Sequence, residues 1–500
     1  MNLISPFVGS PALDHPDPED GRRGTGTRDR LGAIDLCVTN LCYKPCRRVP
    51  STLHAPSGSR HQMSFADQSM GLGLRALNRL AGLELIDRAG LRGPAERLVY
   101  RSTRNGFRAA NAAGRSFKSV QGAGKVARQS TAKRSKSFDL TPTDEQQMMV
   151  EAFGDFASDR LRKAATEADA ACSAPDDLLA QSAELGITML GVPEELGGAV
   201  SERSAVTSVL ISEALAGGDM GLAFAALAPA AVSTAIGLWG DADQQATYLP
   251  ELTGEDVPAA ALALLEPRPL FDPFELRTSA RRTADGFVLD GIKSLVPRAA
   301  DAELFIVAAD LEGSGPALFV VEAKTDGVLT SPEPALGLRA ASTCQLKLEG
   351  VELGSGTLLA DGSPDAYADC VRLGRIAWCA LTVGAAQAAL DFLIPYVNDR
   401  KAFGEPISHR QAVAFNMSNI AIEIEGMRLA TYRAASLADQ GREFAREAAI
   451  ARRLCATHGN RIGSDAVGLL GGHGYVKEYP VERWYRDLRS AGVMEGALLV

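Results

Sequence analysis

The sequence predicts a mainly α-helical protein with a central β domain. Apolar residues recur at helical spacing over about 139–257. Over 258–364 they give way to short runs in which apolar and polar residues alternate. Long segments with one apolar stripe follow over 365–500, as in a four-helix bundle. Because the predicted strands are consecutive, we expect one β domain between two helical domains.

The first 138 residues differ in charge from the rest of the chain. They hold 23 Lys and Arg against 10 Asp and Glu, whereas the whole chain has a formal net charge of −9. We predict that residues 1–69 are disordered and that 70–138 form a basic helical extension and linker. Residues 97–138 contain eleven basic residues and no acidic one. This composition would suit contact with nucleic acid or an anionic membrane, but it favours a solvated helix pair and linker.

Local signals place the helices of the region 139–257. In "DLTPTDEQ", Thr141 is expected to cap the first helix and Pro142 to occupy its first turn. The stretch "LGVPEELGG" predicts a break between helices. Residues 220–240 carry no charge and are long enough to cross a membrane, but they are mostly small. We therefore predict a buried core helix there.

Four stretches predict the strands of the β domain. "DGFVLDGIKSLV" alternates apolar and polar residues around an expected turn, and "CQLKLEGVEL" alternates in the same way. "ELFIVAAD" and "PALFVVEA" are short runs suited to buried strands. Beyond these, a helix of some eight turns is expected from 370, with an interruption at Pro395. Two further helical segments each end at glycine.

The cysteines indicate no metal centre. Cys37, Cys42 and Cys46 lie close together but have no second ligand group at zinc-finger spacing. Cys379 and Cys455 fall in apolar helical patterns, where a thiol behaves as a small hydrophobe. No charged start leads into the apolar core of a signal peptide, so we expect a reducing compartment, the cytoplasm.

Several motifs in sequence order resemble the acyl-CoA dehydrogenase family. They are "LGITMLGVPEELGG", "YLPELTGED", "LLEP", "DGFVLDGIK", "LGLRAAST", "DRKAFGEPISHRQAV" and "LLGGHGYVKEYPVERWYRDLR". The resemblance covers about 139–500. It implies a helical N-domain over 139–257, a β-barrel middle domain over 258–364 and a C-terminal four-helix bundle over 365–500. It also implies FAD as cofactor, an acyl-CoA substrate, an electron-transfer flavoprotein or similar acceptor, and a homodimer or homotetramer.

The resemblance also implies a catalytic base. In medium- and short-chain members the base lies eight residues after the Asp of "YRD" and precedes a glycine, and here Asp487 leads to Glu495 and Gly496. Isovaleryl-type members carry the base on the first bundle helix, where this sequence has Gly374. Glu495 would remove a proton alpha to the thioester while a hydride leaves the beta carbon for the flavin. Position alone would instead suit a solvent-facing carboxylate.

Further site residues are implied by the same resemblance. Arg375 matches an arginine that helps to hold the base loop; an exposed helix arginine is the alternative. The residues that match segments reaching a neighbouring subunit's FAD are Arg400, Phe403, Gln411, Gly471 and Gly472. Gly474 belongs to the same segment, and His473 beside it is expected to be a surface or structural residue.

The middle-domain flavin segments depart from the family pattern. Where the family reads like "TEPGAGSD" this sequence has "LEPRPLFD", with Leu265, Arg268, Pro269, Leu270 and Phe271 in place of hydroxyls and glycines. In the next segment Leu295 replaces a Trp, and Pro297 replaces a Thr that would bond the flavin.

Two alternatives to an acyl-CoA dehydrogenase remain open, one from these departures and one from the basic region. The first is a non-catalytic subunit, or the partner in a heteromer, with altered or lost FAD binding. The second is a nucleic-acid- or membrane-associated member that uses basic residues 97–138.

Overall fold

The computed structural model describes residues 141–200, 203–254 and 256–496. The expected disordered stretch 1–69, the basic extension 70–138 and the cysteine trio therefore lie outside the described residues. The described residues form helices, then a sheet, then long helices, which confirms the mainly α fold with a central β domain.

The helices of the N-domain precede the sheet. They are α1 (Asp144–Phe156), a π-helical segment (Ala157–Leu161), α2 (Arg162–Ala171), α3 (Asp176–Glu184), α4 (Ala205–Ala216), α5 (Met220–Trp239) and α6 (Ala242–Leu252). The break expected in "LGVPEELGG" is a short 3-10 turn followed by Gly197 at φ +91°. That positive φ is a conformation that glycine adopts without strain.

The first helix begins with a different cap from the one expected. Thr143, not Thr141, is the capping residue, because its Oγ1 accepts a hydrogen bond from the N–H of Gln146 at 3.2 Å. The Oε1 of Gln146 in turn accepts from the N–H of Thr143 at 3.0 Å. This reciprocal pair needs Gln or Glu three residues after the cap, and Thr143 has it whereas Thr141 does not.

The uncharged segment at 220–240 is α5, a helix of the protein core. Among the described residues, α5 and a second helix, Pro364–Asp399, are long and apolar enough to cross a membrane. Both are mostly buried inside the protein. Met220, Leu222 and Ala223 pack in the same apolar cluster as Trp378 and Leu381 of the second helix. Protein packing therefore accounts for their apolar character.

The β domain is a curled seven-stranded sheet. Its strands are β1 (Ala260–Ala263), β2 (Ser279–Arg282), β3 (Gly286–Val296), β4 (Leu304–Leu311), β5 (Gly315–Glu322), β6 (Val328–Pro332) and β7 (Cys344–Gly354). Their order is β1-β4-β2-β3-β7-β6, with β5 paired to β4. Phe287, Phe305 and Phe319 lie in the sheet's own apolar core.

The turn expected within "DGFVLDGIKSLV" is wrong. β3 runs through the whole stretch, with a shift of register between Leu289 and Gly291 where it pairs with β7. A Cβ on Gly291 would lie 2.6 Å from Cα of Thr278. The glycine is therefore required by the close approach of a neighbouring backbone rather than by a hairpin.

The C-terminal domain contains α7 (Pro364–Asp399), α8 (Gln411–Asp439), α9 (Ala445–Leu470) and the short α10 (Val481–Asp487). Two-residue strands, β8 (Lys401–Ala402) and β9 (Glu405–Pro406), join α7 to α8. The interruption expected at Pro395 is wrong, because α7 continues to Asp399. Near the end of a long packed helix, the lost backbone hydrogen bond does not stop the helix.

Buried polar contacts fasten α10 to the other two domains. Arg483 pairs with Asp219 before α5 at 2.9 Å, and Arg486 pairs with Asp169 of α2 at 2.8 Å. Asp487 accepts the backbone N–H of Leu338, in the β domain, at 2.6 Å. The segment that follows α10 is thus placed where all three domains meet.

Candidate active site

Glu495 lies in a tight turn of that segment and packs against the start of α7. Its φ is +51°, and Gly496 follows at φ +104°. A Cβ on Gly374 would lie 3.2 Å from Cγ of Glu495, and a Cβ on Gly496 would lie 2.6 Å from Cδ of Pro273. Both glycines are therefore needed to seat the turn. The two positions that the resemblance offers for a base, 374 and 495, are neighbours in space.

Two arginines hold the turn through its backbone carbonyls. Nε of Arg375 donates to the carbonyl oxygen of Glu495 at 3.1 Å. Nη2 of Arg452, a buried residue of α9, donates to the carbonyl oxygen of Gly496. Arg375 therefore contacts the base loop rather than standing on an exposed helix face. Since both contacts use main-chain oxygens, they fix the turn without occupying the Glu495 carboxylate.

The carboxylate of Glu495 is in a poorly solvated place. Burial raises the pKa of Glu495 to about 7, while Arg452, Arg375 and a hydrogen bond from Trp378 act to lower it. Its Oε2 is buried and has no hydrogen-bond partner among the described residues. Burial also lowers the pKa of Arg452 to about 10, and the positive charge of Arg375 adds to that effect. A carboxylate with a pKa near neutrality is suited to proton transfer at ordinary pH.

Glu495 lines an apolar cavity of about 200 Å³. The walls come from α4, α5, α7 and the β domain, including Phe224, Leu227, Trp378, Leu265, Leu295, Pro297 and Met494. Residues of both middle-domain flavin segments thus share one space with the candidate base. An apolar space of this kind excludes water and strengthens electrostatic interactions within it.

A buried ion pair joins the two flavin segments beside the cavity. Nζ of Lys293 lies 3.0 Å from Oε1 of Glu266, with both side chains almost fully buried. Glu266 also accepts the backbone N–H groups of Arg277 and Thr278. Burial lowers the pKa of Lys293 to about 8, against the raising effect of Glu266. The segments therefore have a firm framework despite their unusual composition.

Part of the cavity wall has the apolar surface that a flavin ring needs for stacking. Leu265, Leu295 and Pro297 present apolar surface, which suits stacking against an aromatic ring. Nη2 of Arg375 is buried without a hydrogen-bond partner among the described residues, but Arg375 does not line this cavity. Pro297 supplies neither hydroxyl nor N–H. The lining residues fit the ring through apolar packing, and not through middle-domain hydroxyls.

The residues expected to reach a neighbour's cofactor lie away from this cavity. Arg400, Phe403, Gln411, Gly471 and Gly472 are all exposed, and none of them lines the cavity of Glu495. Phe403 is 96% exposed, with the guanidinium of Arg410 5.8 Å from its ring centre. Gly471 has φ +58°, and a Cβ on it would meet nothing within 4 Å. Their cofactor contacts stay a prediction that requires a second chain.

His473 has structural contacts, in line with its expected role. Its Nδ1 is 2.8 Å from the hydroxyl oxygen of Tyr396, and its ring stacks on Tyr479 with centroids 5.0 Å apart. It lies among aromatic side chains at the base of the glycine segment.

Sequence reasoning missed Arg452 as a residue of the site. A signal was available, because it falls on the buried stripe of α9 with Ala448, Ala451 and Cys455, at helical spacing. A charged residue on an apolar stripe is rarely left buried without a partner. Its partner, a main-chain oxygen 44 residues away, could not be read from the sequence.

Comparison with known proteins identifies the family of the chain. Models of the acyl-CoA dehydrogenase N-terminal, middle and C-terminal domains match residues 143–256, 261–351 and 365–498. The short/branched chain specific acyl-CoA dehydrogenase of Bos taurus is 31% identical over 71% of this chain and 83% of its own length.

Solved structures show the same relationship. Butyryl-CoA dehydrogenase from Megasphaera elsdenii superposes with a TM-score of 0.67 at 29% identity, over 72% of this chain and 97% of that one. An FAD complex of PigA, at 24% identity and a TM-score of 0.67 over 72% and 96%, shares the fold. FAD is the cofactor bound by members of this fold family. The chain therefore belongs to the acyl-CoA dehydrogenase family of flavoprotein oxidoreductases.

Proposed function

We propose that the protein is an FAD-dependent acyl-CoA dehydrogenase that oxidises an acyl-CoA thioester to the 2-enoyl-CoA, with Glu495 as the base. One observation carries the proposal. The Glu495 carboxylate has a free buried oxygen and a pKa raised to about 7, and it lines an apolar cavity together with both flavin segments.

The chain's own groups account for the proton-transfer half of the reaction. Oε2 of Glu495 accepts the proton from the carbon alpha to the thioester, because that oxygen has no competing partner among the described residues. Within the described part of the chain, the backbone N–H of Glu495 has no hydrogen-bond partner. This N–H can therefore donate to the thioester oxygen, where negative charge develops in the reaction. Bound FAD supplies the acceptor for the hydride that leaves the beta carbon.

Arg375 and Arg452 serve as positioning residues in this scheme. They hold the carbonyl oxygens of Glu495 and Gly496, and so fix the direction of the carboxylate and of the N–H. Leu295 and Pro297 would pack against the ring.

We further propose that the working form is an oligomer of this chain, a homodimer or homotetramer. Phe415, Ile422 and Leu429 form an exposed apolar stripe at seven-residue spacing along α8. With exposed Phe403 nearby in sequence, this stripe offers a surface to a second copy. Arg400, Gln411, Gly471 and Gly472 would then contact the FAD of the neighbour. An electron-transfer flavoprotein, or a similar acceptor, would reoxidise the flavin.

A second candidate function has its own observation in favour. In the cavity wall Pro297 replaces a Thr expected to bond the flavin, Leu295 replaces a Trp, and Leu265 belongs to the segment that lacks the family's hydroxyls and glycines. A non-catalytic subunit, or the partner of an active chain in a heteromer, would show this pattern. The nucleic-acid or membrane alternative depends on residues 97–138, outside the described residues, and stays a prediction.

A spectrum of the purified protein with added FAD separates these functions. We expect a flavin absorption band that bleaches without oxygen when a suitable acyl-CoA is added. Glu495→Gln should retain the band and lose the bleaching, whereas the exposed control Glu352→Gln should keep both. A protein that binds FAD and acyl-CoAs but is bleached by none would overturn the dehydrogenase. A protein that takes up no FAD would favour the non-catalytic subunit.

A further inference from the structure

Arg203 is the second charged side chain of the cavity that holds Glu495. It directly precedes Ser204, which caps the N-terminus of α4, and it lines the cavity beside Ala205 and Ser208. Every other lining residue is apolar or an uncharged small polar residue. A guanidinium in such a wall is unfavourable unless it is paired, because burying a cation in an apolar site costs free energy.

Within the described residues, Arg203 forms no hydrogen bond that would repay this cost. Its Nε is buried and unpartnered. Burial lowers the pKa of Arg203, and the charge of Asp439 opposes that shift. Asp439 is already used, since it accepts from Oγ of Ser204 at 2.7 Å and from the N–H of Val206 at 3.0 Å. It caps α4 and does not form a hydrogen bond with Arg203.

The serine hydroxyls around the cavity are already hydrogen-bonded within the protein. Oγ of Ser208 donates to the carbonyl oxygen of Ser204 at 3.1 Å, and Oγ of Ser212 to that of Ser208 at 2.8 Å. Oγ of Ser294 donates to Glu333 at 2.7 Å. A ligand in this cavity therefore meets one carboxylate, one cation with an unused donor, and walls that are otherwise apolar or carry uncharged polar groups.

We propose that Arg203 is a specificity-determining residue and that the preferred acyl group carries a second carboxylate, or another accepting oxygen, which pairs with Arg203. The inference rests on the proposed function, since it names the class of acyl-CoA that the site takes. A planar guanidinium matches a carboxylate through paired hydrogen bonds. A purely hydrocarbon acyl group would bury Arg203 further and leave its donor unpaired, which disfavours that substrate.

The acceptor could also come from the amide oxygens of the pantetheine arm, which every acyl-CoA has. The two sources predict different results. If the acyl group is the source, loss of Arg203 weakens only ligands with the extra oxygen. If the arm is the source, loss of Arg203 weakens all acyl-CoAs equally.

Calorimetric binding to the full, FAD-loaded protein tests the proposal. The probes are 3-thia acyl-CoA analogues, which cannot be oxidised, in pairs of equal chain length with a terminal methyl or a terminal carboxylate. We expect the wild type to prefer the carboxylate by about tenfold or more in the best-fitting pair. Arg203→Met should remove that preference, and Arg203→Lys should retain part of it. The exposed control Arg442→Met should match the wild type.

The results separate a failure of the Arg203 inference from a failure of the proposed dehydrogenase function. No preference in the wild type, an unchanged preference in Arg203→Met, or an equal loss for both members of a pair overturns the inference. If the preference follows Arg203 but no oxidisable acyl-CoA bleaches the flavin, the inference stands and the dehydrogenase function fails. Should Arg203→Met not fold, Arg203→Gln, which keeps a polar side chain of similar reach, replaces it.

Discussion

Gly374 and Glu495 are in direct contact, with the site of a missing Cβ on Gly374 only 3.2 Å from Cγ of Glu495. α7 therefore leaves room for the carboxylate by having no side chain at this position. A contact this short forces one of the two groups to move if a methyl group is added.

Gly374→Ala should thus lower the rate of flavin reduction by about tenfold, because it displaces the carboxylate from the alpha carbon. FAD content and acyl-CoA affinity should change little. The matched control is Gly426→Ala in α8, where a Cβ would meet nothing within 4 Å. Since alanine favours helix over glycine, Gly426→Ala should raise thermal stability slightly. Equal rates in the two variants would contradict the role of the contact.

Arg452 should set the pH dependence of the reaction. Its charge lowers the pKa of Glu495, which burial has raised to about 7. Arg452→Met removes that charge, so the pKa should rise further and less carboxylate should be ionised at neutral pH. We expect the ascending limb of the kcat profile to move to higher pH by about half a unit to one unit. Arg452→Lys should move it less, and a profile that stays in place in Arg452→Met would exclude this influence.

Glu495 should reduce the stability of the folded protein at neutral pH. Its folded-state pKa is raised above the ordinary 4.5 to about 7, so folding favours the protonated form. The stabilisation is complete below pH 4.5 and is lost as pH rises through about 7. Glu495→Gln, which stays neutral, should therefore have a higher Tm than wild type at pH 8 and an unfolding free energy larger by about 3 kcal/mol, with neither difference at pH 4.5. Thermal melts at both pH values, with Glu352→Gln as control, measure this.

Lys293 should be essential to the framework of the flavin segments. Lys293→Met leaves the buried carboxylate of Glu266 without its cation, which should cost about 3–5 kcal/mol of unfolding free energy. Lys293→Met with Glu266→Gln should recover part of that loss. The exposed pair Lys163–Asp159 is the comparison, and Lys163→Met should cost less than about 1 kcal/mol. Denaturant unfolding gives the values, and a minor loss in Lys293→Met would contradict the prediction.

The exposed stripe of α8 should control both assembly and cofactor retention. Ile422→Glu places a charge at the centre of the proposed interface and should shift the protein toward monomer in sedimentation experiments. FAD content should fall with it, because Arg400 and Gln411 would no longer reach a neighbour. Leu329→Glu, at an exposed position of β6, should leave both properties unchanged. A monomeric variant with full FAD content would show that the cofactor is held within one chain.

Much of the fold could be predicted from the sequence, because the spacing of apolar residues indicates which side of a helix or strand is buried. β4 and β5 lie where "ELFIVAAD" and "PALFVVEA" predict strands. The errors have local causes that periodicity does not register. A reciprocal side-chain pair moved the first cap to Thr143, and the approach of Thr278 turned an expected hairpin at Gly291 into a register shift.

The residues of the candidate site could be predicted from the sequence only in part. The resemblance to the family, through the spacing from Asp487, pointed to Glu495, and that carboxylate lines a cavity. Helical spacing marks Arg452 as buried, but neither its main-chain partner nor the placement of Arg203 could be found from spacing, since both depend on packing between distant elements. Their significance lies in unpaired donors, which three-dimensional contacts alone define.

The contacts of α10 have a mechanical consequence. One seven-residue helix is tied to the first domain by two ion pairs and to the sheet by the N–H of Leu338. A hinge motion between the N-domain and the β domain would move Glu495 away from the alpha carbon of a bound acyl-CoA. Catalysis should therefore demand a stiff junction here, and substrate must enter through movements elsewhere in the molecule.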